Sequence, residues 1–452
     1  MKPKITWINH ASYIIENDQV CLLVDPWIDG TAFNDGWLHI SKSYFPDDLL
    51  DRVTHIWFSH EHPDHFSPKN LKEISLKCHN LPKIVFQKTT DKRVLNFVKK
   101  LGFECIEIEP FKEHLIEENF AITIMTFPPI DSSLILDING YKIVNTNDCI
   151  LESKHLKKLG SYINNSCDLL LTQFSYASWI GTPDDSSLRK LAIEEKICEI
   201  KSQIEFFKPS YTIPFASFIW YCHAENFYMN DEMVGLEIIE QKISNSGSKA
   251  AIMYPGDSWT LFEKRHFTNQ ENINKYKSDI VQNVKIENTI TPQLIPIDEL
   301  EKNANIYFQR IKEKNGKYLL MLICLISKIF DSFPLKYKLG FGETSFRIED
   351  HNATYKFDWI NGLKKSRIDN PHVVLSADSL NFILKLEFGM GSLGVNGRAI
   401  YKDLLSLYHF RRVFSLGLVN SVGDTFLSHA IKKITNQVGD SIHDVEPSYL
   451  KK

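Results

Sequence analysis

No Cys-x-x-Cys pair and no Cys-x-His pair occurs among the eight cysteines, which stand at positions 21, 78, 105, 149, 167, 198, 222 and 324. That absence excludes the usual zinc ribbon, the thioredoxin-type redox pair and the Rieske iron–sulfur site. The cysteines are scattered through apolar stretches, which reads as reduced, buried thiols of a cytoplasmic protein. An excess of charge of one sign is lacking too: 52 Lys and Arg against 56 Asp and Glu leave a formal net charge of −4. So small a balance argues against nucleic acid or an acidic membrane as a partner, and no basic run with interleaved aromatics is present. The longest apolar stretch, 318–330, holds about 13 residues and includes Lys328, short of the roughly 20 that a membrane span needs. The opening Lys4-Ile5-Thr6-Trp7-Ile8 goes straight into strand character, so no signal peptide is expected.

What the chain does have is 452 residues of ordinary globular composition, 43% hydrophobic and 24% charged, enough for two or three domains. Its first half reads as short β-type runs at 5–9, 12–16, 20–24, 53–58, 84–87, 104–109 and 120–126. A hairpin is expected from 134–137 to 141–144 across Asn139-Gly140, with later strands at 169–172, 211–214 and 250–254. Ser67 as N-cap and Pro68 as first helical residue open a helix behind the 53–58 strand, and further helices are expected at 91–100 and from Ser186 to about Phe207. Two strand-rich halves flanked by helices predict an α/β (α+β) chain built on a four-layer αββα sandwich over residues 1–265. The polar stretch within 266–295 reads as a linker. Residues 296–452 read as a smaller C-terminal α+β domain, with helices at 297–314 and 317–330 and strands around Phe346, Tyr355 and Val373.

One segment carries chemistry. Ser59-His60-Glu61-His62-Pro63-Asp64-His65 lies between a buried strand and a capped helix. His60 and His62, two apart at a strand end, point the same way and suit one ion. Asp64 and His65, on the turn into the helix, are free to hold a second. Further ligands must come from other strand ends. Asp148 is the candidate bridging carboxylate, or else an ordinary turn Asp, and His223 the candidate histidine for the second metal, or else a structural one. Asp131, in Pro128-Pro129-Ile130-Asp131-Ser132, is a third protein ligand of the first metal or a cap of its turn. A donor set that rich in carboxylate suits iron or manganese at least as well as zinc.

The histidine motif, with Asn9-His10-Ala11-Ser12 and Asp25-Pro26-Trp27, resembles the metallo-β-lactamase superfamily. Asp25 to Phe33 with Gly36-Trp37, Asn145 to Cys149, Gln173-Phe174 with Ala177-Ser178, and Pro214-Phe215-Ala216 ahead of His223 are similar to the catalytic domain of CMP-N-acetylneuraminate hydroxylase and its bacterial relatives, without the Rieske domain. The similarity covers residues 5 to about 260. It implies an iron-dependent oxygenase, with His60, His62, Asp64, His65, Asp148 and His223 at the metals, O2 as co-substrate and electrons from an external reductase or ferredoxin. The stretch from Asn370 to Arg412 resembles the tail of bacterial relatives and, faintly, a sterol-carrier-type fold.

Two chemistries follow from such a centre. In the first, two iron ions hydroxylate or N-oxygenate a small organic substrate. In the alternative, two metal ions, zinc or manganese among them, activate a water that cleaves an ester, lactone, amide or phosphodiester. Glu61 would orient groups beside the metals, and Tyr176 and Ser178 follow a strand end and could approach them. Trp179, Trp220 and Tyr221 line a substrate pocket or belong to the core. Cys222, beside His223, reads as a buried thiol.

Overall fold

The computed structural model describes residues 2–89, 91–127, 131–329, 341–421 and 423–434. Pro128 to Ile130, Phe330 and the expected C-terminal domain beyond 434 lie outside the described residues.

The N-terminal half begins with strands β1 (Lys4–Asn9), β2 (Ser12–Glu16), β3 (Cys21–Val24), β4 (Trp37–His39), β5 (His55–Trp57), β6 (Lys83–Gln87), β7 (Cys105–Ile108) and β8 (Glu113–Glu117). It continues with β9 (Phe120–Phe127), β10 (Asp131–Ile138), β11 (Tyr141–Asn145), β12 (Leu169–Gln173), β13 (Tyr211–Phe215), β14 (Ile219–Tyr221), β15 (Lys249–Ala250) and β16 (Ser258–Thr260). Two seven-stranded sheets result, ordered β16-β1-β2-β3-β5-β6-β7 and β15-β13-β12-β11-β10-β9-β8.

Period-2 alternation explains why they face each other. Ile5, Trp7, Tyr13, Ile15, Leu22, Val24, Trp57 and Val85 all enter one core, shared with Ile122, Ile124, Leu134 and Leu169 to Leu171 of the second sheet. Their neighbours Ile8, Ile14, Leu23, Ile56, Phe58, Ile84 and Phe86 form a separate cluster with Leu71, Ile74, Val94 and Val98. Those last four come from helices Pro68–Lys77 and Arg93–Lys100. On the far side, helices Ser153–Tyr162 and Ser186–Phe207 cover the second sheet through Leu156, Leu159, Ile200, Ile204 and Phe207. This is the expected αββα sandwich.

Two expectations need correction. The stretch read as a linker holds a helix, Asn269–Asn283, whose Ile273 and Tyr276 are buried in the sandwich core. A capping box starts it, the Thr268 hydroxyl accepting from Glu271 N while the Glu271 carboxylate accepts from Thr268 N. The strand expected at 250–254 shrinks to Lys249–Ala250, and β16 instead closes the first sheet by pairing antiparallel with β1.

Beyond it, β17 (Thr344–Ile348), β18 (Ala353–Asp358), β19 (Gly362–Ser366), β20 (Val373–Leu375) and β21 (Ile400–Tyr401) make a sheet ordered β19-β18-β17-β20-β21. Helices Ile297–Asn315 and Leu404–Ser421 share a second core with it, in which Phe308 stacks on Phe357 with ring centroids 3.7 Å apart. No helix among the described residues is long and apolar enough to cross a membrane. Five of the eight cysteines are buried, but Cys198 is exposed, and Cys78 and Cys105 are half-buried.

Candidate metal centre

The His60–His65 loop leaves the C-terminal end of β5, and its turn closes when the N–H groups of His65 and Phe66 donate to the His62 carbonyl at 3.0 and 2.7 Å. Asp148 follows β11, Asp131 starts the antiparallel neighbour β10, and His10 sits at the β1–β2 turn. These strand ends bring seven side chains together at one edge of the sandwich. Three groups have ligand atoms close enough to share an ion: His60 with His62 and Asp131, His60 with His65 and Asp148, and His10 with Asp64 and His65.

Their electrostatics favour ligation. Burial, then the neighbouring histidines, push His60 well below its ordinary range, and burial lowers His62. Both are therefore held in the neutral form that binds metals. His65 goes the other way: burial opposes its charge, but Asp64, Asp148 and Asp25 together hold it well above its ordinary range. Burial, with the charge of Asp148, pushes the Asp131 carboxyl up to about 7. Asp64 Oδ1 and His10 Nδ1 are buried without a hydrogen-bond partner, and His65 Nε2 meets Asp64 and Asp148 only at 3.3 and 3.4 Å. An unsatisfied buried polar group costs about 1–3 kcal/mol, and a ligated cation would offset that cost here. The donor set of imidazoles and carboxylates thus fits metal ions.

A ring of polar groups aims these ligands. Asp25 Oδ2 lies 2.9 Å from His65 Nδ1 and also accepts from the Ser59 hydroxyl and Asn147 Nδ2, both at 2.9 Å. Because the Ser59 hydroxyl donates to Asp25, it accepts from His60 Nδ1 at 2.9 Å, which leaves His60 Nε2 without a proton, 2.8 Å from His62 Nδ1. Gln173 Nε2 donates to Asp148 Oδ1 at 3.1 Å. Trp27 packs edge-on against His10 and Phe33 against His62, with centroids 5.5 and 5.7 Å apart. Sequence reasoning had His10 and Asp25 only as parts of a family motif. The pairing of β3 with β5, Val24 beside Trp57, was the signal that Asp25 would lie next to Ser59 and His60.

Other expected site residues fall elsewhere. His223 is fully buried but belongs to none of the three groups; its Nδ1 lies 3.2 Å from Glu225 Oε2, and burial and Arg398 push it down to about 3. It follows β14, a strand that pairs with β4 outside the two main sheets, and so is drawn toward the C-terminal region. The Tyr176 hydroxyl donates to the Met229 carbonyl at 2.5 Å and that of Tyr221 to the Ser178 carbonyl at 3.0 Å, so both rings are packing groups. Trp220 turns into the sandwich core, whereas Trp179 bridges toward the C-terminal core through Tyr401. Cys222 is buried, its thiol directed at the Asp35 carbonyl. Glu61 is exposed at the rim and paired with Arg93 at 3.1 Å.

With this geometry in hand, comparison with known proteins places the sandwich. Residues 4–157 match the beta-lactamase superfamily domain. Cytidine monophosphate-N-acetylneuraminic acid hydroxylase of Cricetulus griseus is 25% identical over 248 residues, covering 50% of this chain and 42% of that protein. The Xenopus laevis protein of the same name is 26% identical over 248 residues, covering 50% of this chain and 40% of its own length. The matched region is thus less than half the length of these curated relatives. Among solved structures, CmlA, a diiron beta-hydroxylase from Streptomyces venezuelae, covers 57% of this chain and 54% of its own at 12% identity and a TM-score of 0.41. A likeness at that level carries no weight in the choice of chemistry.

Proposed function

We propose that this chain is a dinuclear-metal oxygenase, iron favoured, that hydroxylates or N-oxygenates a small organic substrate with electrons from an external reductase or ferredoxin. Residues 1–265 carry the chemistry, and the described residues from 297 onward form a second unit around their own core. His60, His62 and Asp131 hold one ion, and His10, Asp64 and His65 the other. Asp148, grouped with both His60 and His65, is the shared carboxylate. His10 takes the place first given to His223.

The observation that carries this reading is Asp131, a carboxylate beside His60 and His62 where a third imidazole would make a softer site. Oxygen donors next to imidazole suit iron, and the 25% identity to hydroxylases supports the same choice. Bound iron would supply the O2 chemistry that side chains lack. The chain's own work is to keep His60 and His62 neutral, to fix His65 through Asp25 and Asp148 through Gln173, and to shield the centre with Phe33 and Trp27.

The test is metal analysis of the full chain from iron-supplemented cells, followed by anaerobic reduction and admission of oxygen under optical and Mössbauer observation. Iron in both sites with an oxygen-dependent spectral change is expected. Zinc that resists exchange, with no oxygen response after iron loading, would overturn the oxygenase and turn the search to esters, lactones and phosphodiesters.

A further inference from the structure

Phe33, Asn34 and Asp35 are three consecutive non-glycine residues with φ of 53, 55 and 56°. Side-chain-bearing residues rarely adopt that region even singly, so a left-handed turn of three persists only where its surroundings over-determine it. Within the turn, Gly36 N donates to the Ala32 and Phe33 carbonyls, and Ala32 and Trp37 exchange backbone hydrogen bonds at 3.0 and 3.1 Å. The remaining restraints come from far along the chain. Asn396 Nδ2 donates to the Phe33 carbonyl at 2.9 Å, and Arg398 Nη1 donates to the Asn34 carbonyl at 2.5 Å. Asn226 Nδ2 ties the Gly36 carbonyl at 2.9 Å to that of Asn396 at 2.6 Å. The approach is so close that a Cβ on Gly36 would meet Asn396 Cβ at 2.5 Å.

The turn is also part of the metal centre, since the buried Phe33 ring packs on His62. The C-terminal region reaches the same loop from its other flank: Arg93, which pairs with Glu61 through Nη2, donates through Nη1 to the Ser421 hydroxyl at 3.2 Å.

We propose that Asn396 is a positioning residue of the metal centre, which with Arg398 clamps the left-handed Phe33–Asp35 turn against His62, so that the C-terminal region fixes the Phe33 wall of the centre. This rests on the reading of that centre as the catalytic one.

Hydrogen exchange of the metal-free full chain and chelator extraction of the zinc-loaded full chain test it together. In Asn396→Ala, amides 32–37 should exchange about tenfold faster, the effect of one lost hydrogen bond, while peptides of β5, β12 and β17 keep their protection. Removal of zinc by EDTA should accelerate alongside. A role confined to general stability would instead raise exchange across both cores. Unchanged exchange at 32–37, or a loosened turn with unchanged extraction, overturns the proposal and leaves the centre standing. A wild-type chain that takes up neither zinc nor iron overturns the centre, and the proposal with it. Should Asn396→Ala fail to fold, Asn396→Ser removes the same donor with a smaller loss of packing and is read in the same way.

Discussion

Two buried polar clusters lie close together in this molecule, and they are built on opposite principles. Around His60 to His65, charges and imidazoles converge while Asp64 Oδ1 and His10 Nδ1 have no hydrogen-bond partner and His65 Nε2 meets carboxylates only at 3.3 and 3.4 Å. Around Arg398, which is fully buried, the guanidinium is satisfied on each nitrogen: Nε by Glu225 at 2.8 Å, Nη2 by Asp378 at 2.6 Å and Nη1 by the Asn34 carbonyl. Native proteins leave few buried polar atoms unpaired. Imidazoles and carboxylates crowded together with atoms unpaired suit a cation, whereas a guanidinium satisfied on every nitrogen is a fastener, even though His223 Nε2 beside it is unpaired.

The sharpest way to break that comparison is to remove one member from each. His60 belongs to two of the three ligand groups, so His60→Ala should reduce bound metal to background while the circular dichroism and the metal-free melting temperature stay near wild type. Retention of both ions would mean that the orphaned atoms do not mark the site. Arg398→Met should do the reverse. It leaves Glu225 and Asp378 without their counter-charge, and breaking a buried pair from one side costs about 3–5 kcal/mol. That loss appears as a lower urea midpoint, with metal still bound at saturating ion. A neutral outcome for Arg398→Met would show that the second cluster fastens nothing.

How much of this the sequence held depends on the range of the signal. Strands β1 to β3 and the helix Ser186–Phe207 were legible because strand alternation and a long run without Gly or Pro are local signals. The His60–His65 motif was legible because four ligands fall in six residues. β4 and β14 were not, being three-residue strands paired only with each other across the chain, with no period to read. His10 was missed as a ligand for a related reason: a lone histidine at a turn has no partner in sequence, and only the pairing of β1 with β2 and β16 sets it beside Asp64. Helix Asn269–Asn283 was hidden by its polar composition, although Thr268 and Glu271 stand at capping-box spacing. His223 follows a late strand end as expected, but its Nδ1 meets Glu225 and it joins none of the three ligand groups among the described residues.

The mildest test uses protons rather than mutations. Burial and Asp148 raise the Asp131 carboxyl to about 7, and the carboxylates around His65 hold its imidazole well above the ordinary range against the pull of burial. Both must give up a proton to ligate, so metal uptake strengthens as pH rises and weakens as pH falls below about 7, Asp131 alone contributing about tenfold in affinity per pH unit. At the other cluster, His223, pushed down to about 3 by burial and by Arg398, stays neutral. Competition titration with a chromophoric chelator between pH 5.5 and 8 should therefore show a steep slope in zinc affinity. Over the same range Asn396→Ala should speed exchange of the Phe33 turn by a constant factor relative to wild type. A flat affinity profile would remove Asp131 from the ligand set, and with it the main reason for preferring iron.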